Sequence, residues 1–169
     1  NPILWWLVLH LVILNVRPRR SAALYRKVWL PEGSPLLVYS RAQAGGLQSR
    51  LGDRCRVILG MRYGNPSIAE AMQTLSEEGV ERIVIFPLFP QFSASTTGSV
   101  YDAVIHAVLG SSFERKRRIP TLRFVPPYYD HPGYIQALKL SIEETAQKIG
   151  ATPDRYLLSF HGLPQRYVD

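Results

Sequence analysis

At 169 residues, 46% of them hydrophobic, the chain has about one domain's worth of length and can bury a core. Cys55 is the single cysteine, which excludes a disulfide framework and a zinc-type Cys/His set and fits a reducing compartment. The net charge of +7 and sequence pI of about 9.8 favour anionic partners, namely carboxylated ligands, acidic membrane surfaces or nucleic acid, without choosing among them.

Pro2 to Val16 is an apolar run containing Trp5 and Trp6, closed by Arg17-Pro18-Arg19-Arg20. It is shorter than the ~20 apolar residues a membrane span needs, and His10 and Asn15 interrupt it. Its basic residues follow the apolar run instead of preceding it, against a secretory signal. The run predicts a helix that either packs on neighbouring protein or touches a membrane interface, where Trp is common. A second helix is predicted over about Ser21 to Trp29. The turn Pro31-Glu32-Gly33-Ser34-Pro35 then leads into an amphipathic helix from Leu36 to Leu51, weakened by Gly45-Gly46.

From Arg56 the pattern becomes regular. Arg56 to Gly60 reads as a strand, followed by a helix with Asn65 as cap, Pro66 at its first position, an apolar face of Ile68, Met72 and Leu75, and Gly79 as its stop. Arg82 to Phe89 reads as a strand buried on both faces. The loop Gln91 to Gly98 leads through Thr96-Thr97 into a helix with Val100, Val104 and Val108 along one side. Arg115-Lys116-Arg117-Arg118 reads as a solvated helix end or loop, with a membrane or nucleic-acid patch as the lesser alternative. Leu122 to Val125 is the next strand, and Pro132 opens a helix with Ile135, Leu138, Ile142, Ala146 and Ile149 at helical spacing, ended by Gly150. Tyr156-Leu157-Leu158 is the last strand. Strict alternation implies an α/β fold with a parallel sheet of about four strands, right-handed crossovers and helices on both faces.

In such a sheet the segments after the strands emerge along one edge. Arg62-Tyr63, the Ser93-to-Thr97 loop, Tyr128-Tyr129 and His161 would then surround one crevice. Tyrosines suit a flat ligand with polar edges. Ser93, Ser95 and Thr96 precede a helix N-terminus, either as an anion site or simply as caps. His161 sits at a strand end before a Gly/Pro turn, where an imidazole can accept a proton or bind a divalent metal; taken alone, a histidine there reads more readily as a hydrogen-bonded structural residue. Neither a dinucleotide fingerprint nor a Walker pattern follows any strand, which argues against a dehydrogenase or an NTPase.

Four segments change the weight of these alternatives. Gly33-Ser34-Pro35-Leu36, Gly60-Met61-Arg62-Tyr63-Gly64-Asn65-Pro66, Pro90-Gln91-Phe92-Ser93-Ala94-Ser95-Thr96-Thr97-Gly98-Ser99 and Ser159-Phe160-His161-Gly162-Leu163-Pro164-Gln165-Arg166-Tyr167 resemble, in order, the ferrochelatases, enzymes that insert ferrous iron into protoporphyrin. The resemblance implies a Rossmann-like (chelatase-like) fold and most of the first of two α/β halves, with residues 1–35 as an apolar lip and propionate region and 36–169 as the alternating core. Asn1 in place of Met, and an end at Asp169 soon after the His161 turn, agree with a piece lacking the second half.

By the same resemblance, His161 is the proton acceptor or iron ligand. Arg62, Tyr63, Ser93, Ser95 and Thr96 line the pocket, and Arg17, Tyr25 and Ser34 hold a porphyrin propionate. Protoporphyrin IX and Fe2+ are the implied partners, both as substrates, and no cofactor is expected. Ala94 stands where cluster-bearing members place a cysteine, so no iron–sulfur cluster is expected either. The family's glutamate opposite the histidine belongs to the second half. The expected location is cytoplasmic, with peripheral membrane contact as an option and no nucleic acid bound. The competing readings are a non-catalytic porphyrin- or haem-binding module and a chelatase for another tetrapyrrole such as sirohydrochlorin.

Overall fold

The computed structural model of the chain describes residues 2–110 and 119–167. The basic run Arg115-Lys116-Arg117-Arg118 lies outside the described residues, and so does the side chain of Arg17. Two units divide the chain, Asn1–Leu59 and Gly60–Asp169.

In the first unit, α1 (Pro2–Leu7) runs through a wider π-helical stretch, Val8–Ile13, into α2 (Leu14–Arg26). The predicted break at Arg17-Pro18-Arg19-Arg20 is absent: α2 continues through Pro18, although proline has no N–H to return to the preceding turn. Leu4, Trp5, Trp6, Leu11 and Leu14 are exposed. Leu30 and Gly33 exchange two backbone hydrogen bonds of 3.0 Å, closing a turn that needs the positive φ of Gly33, 125°. Pro35 then opens α3 (Pro35–Leu51), which continues through Gly45-Gly46. Beyond α3, Gln48 Nε2 donates to the carbonyls of Gly52 and Cys55, both at 2.9 Å, and its Oε1 accepts from Val57 N at 2.7 Å. One amide thus holds the exit of the helix.

The second unit begins with a segment that closes a loop at Met61. Met61 N donates to Pro66 O at 2.7 Å and Ile68 N to Met61 O at 3.1 Å, so Arg62 to Pro66 project from a closed base. A side chain at Gly60 would meet the Ile68 backbone at 3.1 Å and the Ala71 side chain at 3.3 Å, so this close approach favours glycine. Helix α4 (Ile68–Glu77) is capped by Ser67, not by Asn65 as predicted. Asn65 and Pro66 are drawn into the turn that the Met61 pairing closes, and their peptide bond is cis. Ser67 Oγ accepts from Glu70 N at 3.1 Å and Glu70 Oε2 accepts from Ser67 N at 2.6 Å, a reciprocal capping box. Gly79, φ 72°, ends the element as expected.

Hydrogen bonding to the Glu70 carboxylate from Ser67, through its backbone N–H first and its side chain second, holds that carboxyl below the ordinary carboxylate range. The stabilisation is therefore present above the unfolded-state pKa and lost as pH falls through the lower folded value. Ser67→Ala is expected to cost about 1 kcal/mol in denaturant unfolding at neutral pH, with a smaller difference from the parent protein in acid, where Glu70 is protonated.

β1 (Arg82–Ile85) and β2 (Thr121–Phe124) pair in parallel, Arg82 beside Thr121 through Ile85 beside Phe124. Between them α5 (Ser99–Leu109) follows a π-helical turn, Ala94–Gly98. Ile68, Met72, Ile83, Ile85, Val104 and Val108 form the buried core, with Leu75, Val100, Leu122 and Phe124 packed on it. The periodic faces predicted for α4 and α5 are therefore the faces that meet β1. Helix α6 (Pro132–Ile149) starts and stops at the predicted Pro132 and Gly150.

The sheet departs from expectation. Among the described residues it has two strands, β1-β2, where about four were predicted. Residues 56–60 carry no regular secondary structure and join no ladder among the described residues, and Tyr156 to Leu158 run as exposed coil, with Leu157 at 95% exposure. Nor is β1 buried on both faces: Ile83 and Ile85 are inside while Val84 is 64% exposed. An apolar run becomes a strand only when a neighbouring strand takes its N–H and C=O groups, and among the described residues no strand pairs with either of these two runs. Helices therefore cover one face of the sheet. The apolar stripe of α6, including Ile135, Leu138 and Ile142, is exposed.

Candidate active site

In the second unit the predicted site residues lie on three loops, around Arg62, Ser93 and His161. In the first, Arg62 Nε donates to Ser99 at the start of α5, to the carbonyl at 3.0 Å and the hydroxyl at 2.7 Å. The guanidinium carbon lies 4.7 Å from the centre of the Tyr63 ring, a cation–π contact. Tyr63 itself is 77% exposed, so a flat aromatic face is presented beside a fixed cation.

The second loop is built by Ser93, which is 4% exposed. Its Oγ accepts from Ser95 N at 3.3 Å and lies 3.0 Å from Ser95 Oγ. The Ser93 carbonyl accepts from Thr96 N and Gly98 N, both at 3.1 Å, and from Thr96 Oγ1 at 3.3 Å. Ser93 and Thr96 thus shape the turn while Ser95 stays exposed, so both readings of this loop, cap and exposed polar edge, hold for different hydroxyls.

Tyr128 joins the segments that follow the two strands. Its ring lies 5.2 Å from Phe86 and 5.6 Å from Tyr134, and its hydroxyl donates to Pro87 O at 3.4 Å. Desolvation, and secondarily Tyr134, push its phenol above the ordinary value. The stabilisation is present below the unfolded-state phenol pKa of about 10 and is lost as pH rises through the higher folded value. A phenolate absorbance titration should show one tyrosine ionising after the exposed ones, and Tyr128→Phe should remove that late step.

His161 is exposed, and its Nδ1 donates to Gly162 O at 2.7 Å. A carbonyl can only accept, so the proton sits on Nδ1 and Nε2 presents its lone pair. That lone pair can take a proton or bind a metal ion. Among the described residues no group of three or more His, Cys, Asp or Glu could hold a metal. The structure brings Arg62 and Tyr63 together with Ser99, and Ser93 with Ser95 and Thr96; His161 has no hydrogen bond or ring contact to either group among the described residues.

The family model for ferrochelatase matches residues 1–169. The chain belongs to the ferrochelatase family. It is 47% identical over 170 residues to a ferrochelatase of Teredinibacter turnerae, covering 98% of this chain and 45% of that protein. Ferrochelatases of Yersinia pestis and Yersinia pseudotuberculosis are 48% identical over 168 residues, covering 99% of this chain and 50% of theirs. The chain thus spans about half the length of the curated ferrochelatases it matches.

The remaining positions implied by the ferrochelatase resemblance lie in the first unit. Tyr25 is exposed and packs edge-on against Trp29 with ring centres 6.4 Å apart. Ser34 is half-buried at the start of α3 and makes no side-chain cap bond, so its hydroxyl is not spent on the helix. The backbone of Arg17 belongs to α2. Sequence reasoning left Ser99 out of the site; its partner Arg62 is 37 residues away, and no local pattern marks such a pairing.

Proposed function

We propose that the full-length protein carrying this chain is a protoporphyrin ferrochelatase, which inserts ferrous iron into protoporphyrin IX to form protohaem in haem biosynthesis, and that this chain supplies one wall of the cleft. The observation that carries the reading is the family match over residues 1–169, joined to an exposed His161 whose Nδ1 proton is committed to Gly162.

In this reading Fe2+ is a substrate, and its two positive charges replace two pyrrole N–H protons, both of which leave to water, so the metalated ring core is neutral and iron stays ferrous. His161 Nε2 accepts a pyrrole proton and passes it to water, or ligates the incoming iron. Tyr63 offers a face to the macrocycle beside Arg62; Ser95 lines the pocket, shaped by Ser93 and Thr96; Arg17, Tyr25 and Ser34 hold a propionate. The protein binds the ring bent, so that contact energy offsets the strain of exposing the nitrogen lone pairs. With Ala94 between the two serines, the chain carries no cluster-ligating cysteine in that loop, and we assign it no iron–sulfur cluster.

Two finer points belong to the same reading. In the full-length protein, residues 56–60 and 156–158 extend the parallel sheet to about four strands, supported by the apolar character of both runs. The exposed Trp5 and Trp6 support peripheral contact of a cytoplasmic protein with a membrane. Among the described residues no helix is long and apolar enough to cross one.

The test is to add protoporphyrin to the full-length protein and follow its absorption and fluorescence with and without ferrous iron. Quenching on binding, followed by haem absorption bands when iron is supplied, is the expected result. Binding without metalation would replace the enzyme reading with that of a porphyrin-binding module.

A further inference from the structure

We propose that Ser99 is a positioning residue for the Arg62–Tyr63 pair, setting the orientation in which that pair meets the tetrapyrrole; this rests on the ferrochelatase reading of Arg62 as a pocket residue. Arginine is long and costly to order, and Arg62 is exposed, so an unanchored guanidinium would sample many rotamers. Ser99 removes that freedom with two acceptors on one residue, its carbonyl at 3.0 Å and its hydroxyl at 2.7 Å from Nε. The guanidinium is planar, so fixing Nε while the Tyr63 ring lies 4.7 Å from Cζ constrains its plane as well as its position. The terminal Nη nitrogens are left for a ligand. A bond spanning 37 residues also ties the Arg62 loop to the first residue of α5, which follows the Ser93–Ser95 turn. The two loops therefore hold one register.

The experiment measures porphyrin affinity by fluorescence quenching in the full-length protein for Ser99→Ala, Ser99→Thr, Arg62→Ala and the Ser99→Ala/Arg62→Ala pair. Loss of the hydroxyl bond to a charged group should weaken binding about threefold to tenfold in Ser99→Ala, the carbonyl bond remaining. Threonine, which keeps the hydroxyl, should restore affinity to within about twofold. In the Arg62→Ala background Ser99→Ala should add nothing, because the side chain it positions is gone. Full additivity of the two substitutions, or equal losses with alanine and threonine, would overturn the positioning role while leaving Arg62 in the pocket. Unchanged affinity in Arg62→Ala would instead remove Arg62 from the pocket, and the role of Ser99 with it.

Discussion

In the full-length protein, His161→Ala is expected to lower the rate of ferrous iron insertion by at least about a hundredfold, the lower end of what a positioned acid–base group contributes. The reason is the assignment of the imidazole protons. Nδ1 is committed to the Gly162 carbonyl at 2.7 Å, so Nε2 is the nitrogen with a free lone pair, and alanine offers none. Porphyrin affinity should change far less than turnover, because in the proposed reading His161 would make one contact to a large ring while Tyr63 would offer the flat surface. Stopped-flow measurement of the haem absorption band, with porphyrin binding measured separately on the same variant, separates the two. Near-normal insertion in His161→Ala would withdraw the catalytic assignment even if the family stands.

Met72→Ala is expected to cost about 2–5 kcal/mol, the range for truncating a buried side chain whose surroundings collapse only in part. Met72 is 4% exposed in a core that also holds Ile68, Ile83, Ile85, Val104 and Val108. Few side chains share the load there, so the loss is a large part of the ~5–15 kcal/mol that stabilises a typical domain. Met72→Leu, which nearly conserves volume, should cost less than about 1.5 kcal/mol. Denaturant midpoints for the two variants give the comparison, and equal small losses would mean that Met72 does not sit in the core described.

The miss at α4 was avoidable. Ser67 and Glu70 stand in the Ser-x-x-Glu spacing of a capping box, which the sequence displays, but Asn65-Pro66 offered a competing start two residues earlier. The Met61–Pro66 hydrogen bond decided between them by drawing Asn65 and Pro66 into a turn. The strand over Tyr156 to Leu158 failed for a different reason. An apolar run of that length states that burial would be favourable but not what would bury it, and Leu157 at 95% exposure is the outcome when no neighbour is there among the described residues. Val84 makes the same point on β1, where apolar residues point to both sides of the strand and only one side is buried.

What the residues determined unaided is local. Pro132 and Gly150 bracket α6, the Ile68/Met72 and Val104/Val108 spacings fix the inward faces of α4 and α5, and the four motifs identify the family. These follow from interactions between positions a few residues apart, whose geometry the helical repeat sets in advance. Tertiary structure alone decided which face of β1 is covered, that Gly60 lets its segment close on Ile68, and that Arg62 is held by Ser99. Each of these requires two distant stretches to meet. Which pair meets is settled by the competition of the whole chain for burial and hydrogen-bond partners, a quantity that no short window of sequence contains.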